Sequence, residues 1–180
     1  NLSLAGTFFR GGRVGYKNLD DHREQAAKDA NLAQCKVHGQ PGYRLPHTER
    51  AKRCASLIRA TASIEGGAKL SLHYTDVNPA IWVAAVTRGG NNILARVVQA
   101  NEDGLPIFHQ EVLEEVLRVY KDQLLSPLYV GWVAGFREAE RERFRAFSAA
   151  GVELVHGHPR EVAGRLAEDL EKSDNAHWFD

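Results

Sequence analysis

The chain has 180 residues, 43% hydrophobic and 26% charged, which describes a soluble globular protein of about one domain with a buried core. Lys plus Arg and Asp plus Glu both number 23, so the formal net charge is zero, yet the charge is placed unevenly. Residues 1–60 carry 11 basic and 5 acidic side chains (net +6), residues 61–100 carry 3 and 2 (net +1), and residues 101–180 carry 9 and 16 (net −7).

A basic first half favours a polyanionic partner, while an acidic second half faces solvent, repels misplaced RNA or meets a basic surface on a neighbour. Cys35 and Cys54 allow at most one disulfide, which fits a reducing compartment and sets a cytoplasmic expectation. No apolar stretch approaches the roughly 20 residues of a membrane helix, and Asn1 opens no signal-peptide pattern. The absence of Met predicts that the sequence is a piece of a longer or processed chain.

Residues 2–9 roughly alternate apolar with small or polar side chains, predicting a strand that runs into a loop over 10–17. Glycines 11, 12 and 15 free that loop's backbone, and Arg10, Arg13 and Lys17 give it charge. Residues 18–47 are polar, lack a sustained apolar period and end in Gly39, Pro41, Gly42 and Pro46; they read as an insertion or incomplete loop region.

Thr48 is placed to cap a helix reaching about Glu65, with Ala51, Cys54, Leu57, Ile58, Thr61 and Ala62 on its apolar face and Gly66 and Gly67 ending it. Arg50, Lys52 and Arg53 stand in its first turns, where the macrodipole disfavours cations unless an anion is near. Taken alone, they describe a solvated helix flank.

Residues 68–74 come next, then turn chemistry at Asp76, Asn78 and Pro79, then a near-continuous apolar run over 80–87 that predicts a strand buried on both faces. Gly89, Gly90, Asn91 and Asn92 turn the chain, so 93–98 is expected as the hairpin partner. Pro106 begins a predicted helix in which Phe108, Val112, Leu113, Val116, Leu117, Tyr120 and Leu124 recur at helical spacing through Leu125. Ser126 and Pro127 stop it, 128–134 reads as a strand, helices follow at 137–149 and 159–171, and 152–155 reads as one short strand between them.

In order, these elements give an α+β chain of ferredoxin-like type: an antiparallel sheet with helices on one face and the other face left for a ligand. The expected organisation is a single RNA-recognition-like palm domain over 1–180, with 136–180 a C-terminal helical extension. The aromatic signature of ordinary RNA-recognition motifs, basic-Gly-aromatic-small-Phe-Val, is absent, which argues against base stacking on that face.

Cys35, His38, His47 and Cys54 are zinc-ligand types within twenty residues, but their spacing is irregular and Cys54 also fits the apolar helix face. His73 and Asp76 are three apart; in a strand they point to opposite faces, and Asp76 is better explained as a turn residue. His156 and His158 precede a helix and read as exposed loop residues. No HExxH, P-loop, GxSxG or dinucleotide GxGxxG pattern occurs.

Three glycine-and-cation loops remain: 10–17, 66–69 and 88–92. Glycine lets a phosphate approach backbone N–H groups, Arg and Lys supply charge, and Asn amides bond ribose or phosphate oxygens. Together with the charge asymmetry they point to gripping of a nucleic-acid backbone without sequence readout.

Several of these segments share a pattern: Tyr43-Arg-Leu-Pro46 running into 48–60, Gly66-Gly-Ala-Lys69, Leu72-His-Tyr-Thr-Asp-Val-Asn-Pro79, Arg88-Gly-Gly-Asn-Asn92 and Leu125-Ser-Pro-Leu-Tyr-Val-Gly-Trp132. In combination, over most of residues 43–136, they resemble the DevR-type CRISPR-associated backbone subunit of type I Cascade surveillance complexes. That resemblance implies a modified RNA-recognition fold, copies stacked head to tail on a CRISPR guide RNA, a target DNA strand met through the guide, contacts with other Cascade subunits, and a non-catalytic role without cofactor in antiviral defence.

The family's thumb hairpin is not recognisable in this sequence. A loop Asp used for RNA cleavage in related backbone subunits has candidates at Asp20 and Asp21, with nothing around them to support it. The expected guide contacts are Arg10, Arg13, Lys17, Arg50, Arg53, Lys69, Arg88, Asn91 and Asn92. The alternative is a small metal-dependent hydrolase or nuclease using His73 and Asp76 or the Cys35, His38 and His47 group.

Overall fold

The computed structural model describes residues 8–10, 21–37, 40–65, 77–147 and 151–179. Within them the chain is α+β. In order it runs β1 (Phe8–Arg10), α1 (Asp21–Asp29), β2 (Ala33–Val37), β3 (Gln40–Arg44), α2 (His47–Thr61), β4 (Ile81–Ala84), β5 (Val98–Ala100), β6 (Pro106–Phe108), α3 (Gln110–Val119), β7 (Leu128–Trp132), α4 (Glu138–Ala146), β8 (Leu154–Gly157) and α5 (Pro159–Glu171). Short 3-10 segments follow α3 (Lys121–Gln123) and α5 (Ser173–Phe179). The strands form three small sheets, ordered β1-β3-β2, β4-β7-β8 and β5-β6. The contacts divide the chain into two compact units, one built on Ala55–Asp169 and the other on Leu2–Cys54 with Leu170–Asp180.

The second of these units fills much of the polar stretch 18–47 with regular structure. Its helix α1 is held by its ends and by charge: Asp21 and Glu24 sit in the first turn, Lys28 in the last, and Lys28 pairs with Glu24 at 3.0 Å. Asn31 closes the helix at φ 50°, while the N–H groups of Asn31 and Leu32 donate to the carbonyls of Lys28 and Ala27. Ala27 is buried with Tyr43 and Leu32 as a small core over the β2-β3 hairpin. At the other end of the unit, Trp178 and Phe179 are buried.

The larger unit is organised by β7, all five residues of which are buried. It pairs antiparallel with β4 and parallel with β8. Alternation sends Leu128, Val130 and Trp132 to one face, where they meet Leu113 and Leu117 of α3 and Phe144 of α4. Phe108 stacks edge-on to both Trp132 (5.8 Å) and Phe144 (5.1 Å). On the other face Tyr129 bonds Asp169 of α5, Trp82 donates its indole N–H to Thr61 of α2 at 3.0 Å, and Gly131 lies against Pro159. The sheet is therefore mixed and covered on both faces, which corrects the expectation of an antiparallel sheet with helices on one face only.

Four local expectations also change. Helix α2 starts at His47, one residue ahead of the expected cap, with the Pro46 carbonyl accepting from Glu49 and Arg50; Ala51, Cys54 and Ala62 of the expected apolar face are buried, Ala55 joins them, and Leu57 is half exposed. The 80–87 run forms an edge strand, half-buried rather than enclosed. Residues 93–97 fold as turns pinned by Asn92, whose carbonyl and Oδ1 accept from Ala95 and Leu94, so they do not pair with β4.

The helix expected from Pro106 starts at Gln110, because Pro106–Phe108 pairs with Val98–Ala100 around the turn at Asn101. Asn101 Oδ1 accepts from both Asp103 and Leu105, and Gly104 takes φ 76°. The helices expected at 137–149 and 159–171 are present as α4 and α5, and the short strand between them lies at Leu154–Gly157.

A Cβ added at Gly131 would lie 2.4 Å from the Pro159 Cα, a backbone atom that cannot swing aside, whereas one added at Gly164 in α5 meets nothing within 4 Å. Gly131→Ala is expected to destabilise by about 1–3 kcal/mol or more, and Gly164→Ala to stabilise by about 0.5–1 kcal/mol, as read from urea unfolding midpoints.

Candidate nucleic-acid interface

Of the three glycine-and-cation loops, 88–92 is the one fully described. It is anchored on its first side, where the Arg88 N–H donates to the Gln123 carbonyl at 2.7 Å, Thr87 bridges Leu124, and the Val86 N–H donates to Ser126 Oγ at 2.8 Å. On its second side Asn92 caps the turns over 93–97, and the His109 N–H donates to the Val97 carbonyl at 2.8 Å. Gly89 sits at φ 98°, which an L side chain resists, and the space around Gly89 and Gly90 is open.

Arg88, Asn91 and Asn92 are exposed. Asn92 uses its Oδ1 in the turn, leaving the Nδ2 amide out of that bond. Beside the loop is a groove of about 220 Å³ lined by Ile81, Val83, Asn92, Leu94, Val97 and Val98. Arg96 is exposed in the same turn; sequence reasoning passed over it because a strand was expected there. A firm loop with exposed cations and amides beside an apolar wall can hold phosphate and ribose oxygens while a sugar or base lies on the wall.

The other expected contacts divide. Arg13, Lys17 and Lys69 lie outside the described residues; Arg10 belongs to strand β1. Arg53 is exposed on α2. Arg50 is only 4% exposed: its Nη1 donates to the Phe179 carbonyl at 3.0 Å, and its guanidinium lies 5.5 Å from that ring's centre. This removes Arg50 from the solvent-facing cations and makes it a structural one. His47 packs edge-on against the same Phe179 ring at 4.8 Å.

His38, His73, Asp76 and Asp20 lie outside the described residues, and Asp21 is the first residue of helix α1. Among the described residues no three His, Cys, Asp or Glu side chains gather as a metal site. Cys35 and Cys54 are free thiols, and burial pushes the Cys54 thiol up, against the thiolate that a ligand or nucleophile needs. His158 is exposed at the start of α5, its Nδ1 accepting from the Arg160 N–H at 3.3 Å.

His156, expected in an exposed loop, belongs instead to β8 and packs its ring against Phe144 at 5.3 Å. Burial, and then the nearby Arg145 charge, hold its pKa below the ordinary 6.5.

No match is found among family models, curated proteins or solved structures. Among the described residues, no helix is long and apolar enough to cross a membrane.

Two measurements check this placement. Arg50→Gln is expected to lower stability by about 1.5–3 kcal/mol, and Arg53→Gln by less than about 0.5 kcal/mol, in urea titrations followed by tryptophan fluorescence. Because the folded chain binds a proton at His156 less readily than the unfolded chain, its contribution to stability is present above pH 6.5 and is lost as pH falls through the folded-state pKa. The stability difference between the parent and His156→Gln is therefore expected to shift against the parent on acidification below pH 6.5 and to level off above it.

Proposed function

We propose that the chain is an RNA-binding backbone subunit of a type I CRISPR interference complex. In this reading it grips the guide through its strand-end loops, stacks with further copies of itself and contacts the other Cascade subunits, acting in the cytoplasm as a scaffold rather than an enzyme. The observation that carries the reading is the 88–96 loop, where exposed Arg88, Asn91, Asn92 and Arg96 stand beside an apolar groove. The basic first half of the chain and the resemblance of residues 43–136 to the DevR-type family add support.

A palm of ferredoxin-like descent is part of this proposal. With both faces of the β4-β7-β8 sheet covered, the grip is assigned to loops rather than to an open sheet face. Such a grip must ignore base identity, because every guide differs and base pairing does the reading. A phosphate contact contributes equally on all sequences and disappears with salt as counterions are released.

Replacing Arg88 with Gln is expected to weaken binding of single-stranded RNAs by similar factors whatever their sequence and to lower the slope of log affinity against log salt by about one unit. Fluorescence anisotropy with several unrelated oligonucleotides at graded salt reads both quantities. A loss confined to one sequence, or no RNA binding at low salt, overturns the proposal.

A further inference from the structure

A second concavity lies in the larger unit, away from the glycine loops. It encloses about 100 Å³ and is lined by Val130, Trp132, Phe144, Gly157, His156 and the two arginines Arg141 and Arg145. Its floor is built by the sheet: Val130 and His156 are register partners on β7 and β8, as are Gly131 and Gly157, and Trp132 ends β7. Its roof is α4, which places Arg141 and Arg145 four residues apart, one above the other on one helix face.

The charges in this cavity are lopsided. Arg141 is held by Glu138 at 2.7 Å, and Glu138 is fixed in turn by the Gly135 N–H, which with Arg141 keeps its carboxyl below the usual range. Arg145 has no carboxylate within ion-pair distance among the described residues, and it lies close enough to His156 to disfavour a second positive charge there. Two cationic side chains and an imidazole thus surround an aromatic and aliphatic floor with one carboxylate between them. A low-polarity floor strengthens any charge interaction made above it.

We propose that this cavity is an oxyanion site that takes a single phosphate group, held by Arg145 and His156 with Arg141 at its edge. The size selects one functional group, since whole small-molecule ligands occupy pockets of about 300–1,000 Å³. Donors arrive from α4 on one side and β8 on the other. That arrangement suits a tetrahedral group, which offers oxygens in several directions, better than a planar carboxylate, which a single guanidinium fork satisfies. A phosphate seated there offsets the Arg145 charge and lets His156 take up a proton and donate from both ring nitrogens, so binding and protonation favour each other. Among the described residues, the charged groups facing His156 are Arg145 and Arg141 from α4, the latter with its partner Glu138.

The test uses the full chain, with the imidazole signals of His156 followed by NMR while inorganic phosphate replaces chloride at constant ionic strength. The expected result is a saturable shift and an upward move of the His156 titration midpoint. Arg145→Gln should weaken phosphate about tenfold. Arg143→Gln, an exposed cation on α4 that bonds the Ala139 carbonyl and does not line the cavity, should leave it unchanged.

A His156 signal indifferent to phosphate, or equal losses in the two arginine variants, overturns the site. Competition identifies the source of the bound group. Short single-stranded RNA that displaces phosphate from the parent but not from Arg145→Gln assigns the cavity to a strand phosphate; RNA that binds without displacing it assigns the cavity to free phosphate or a mononucleotide.

Discussion

Strand β7 has solvent on neither face and hydrogen-bonded neighbours on both edges. Burying backbone this completely is tolerable because its N–H and C=O groups find ladder partners, which β4 supplies along Tyr129–Trp132 and β8 along Leu128–Gly131. The two faces then impose different demands. One is filled by Val130, Trp132 and the Phe108 and Phe144 rings; the other is filled by Tyr129 but needs the absence of a side chain at Gly131, beneath Pro159. The entry of α5 is fixed by that missing side chain, and Tyr129 fixes its later turns through Asp169.

Once both faces of the central sheet are occupied, chemistry moves to the periphery. The 88–92 loop lies beyond the free end of edge strand β4, and the arginine cavity lies under α4. Both rest on rigid supports: the loop is tied to 121–126 and to the turns after Asn92, and the cavity floor is the sheet itself.

The sequence made the elements legible where one face alternates with another over several turns or where a strand is fully apolar. Helix α5 and strand β7 are examples, as is the existence of α4. It misled where two rules competed. The spacing of Phe108, Val112 and Val116 is helical, yet Asn101 and Gly104 make a tight turn that draws Pro106–Phe108 into a ribbon.

Helix α1 escaped notice because it buries only Ala27 and draws on end effects and ion pairs, which leave no apolar period. Arg50 was indistinguishable from its neighbours Lys52 and Arg53 in the sequence, because the carbonyl it serves is 129 residues away. The four-residue spacing of Arg141 and Arg145 was readable, but their relation to His156 depends on the parallel pairing of β7 with β8, which no local pattern announces.

The buried Arg50 also joins the early and late parts of the chain, because the Phe179 carbonyl and ring that it meets lie in the last turn of structure described. The smaller unit is discontinuous, with residues 55–169 interposed between its two pieces. Because residues 55–169 are translated before Trp178 and Phe179, the smaller unit's core closes only after the whole interposed segment has been made.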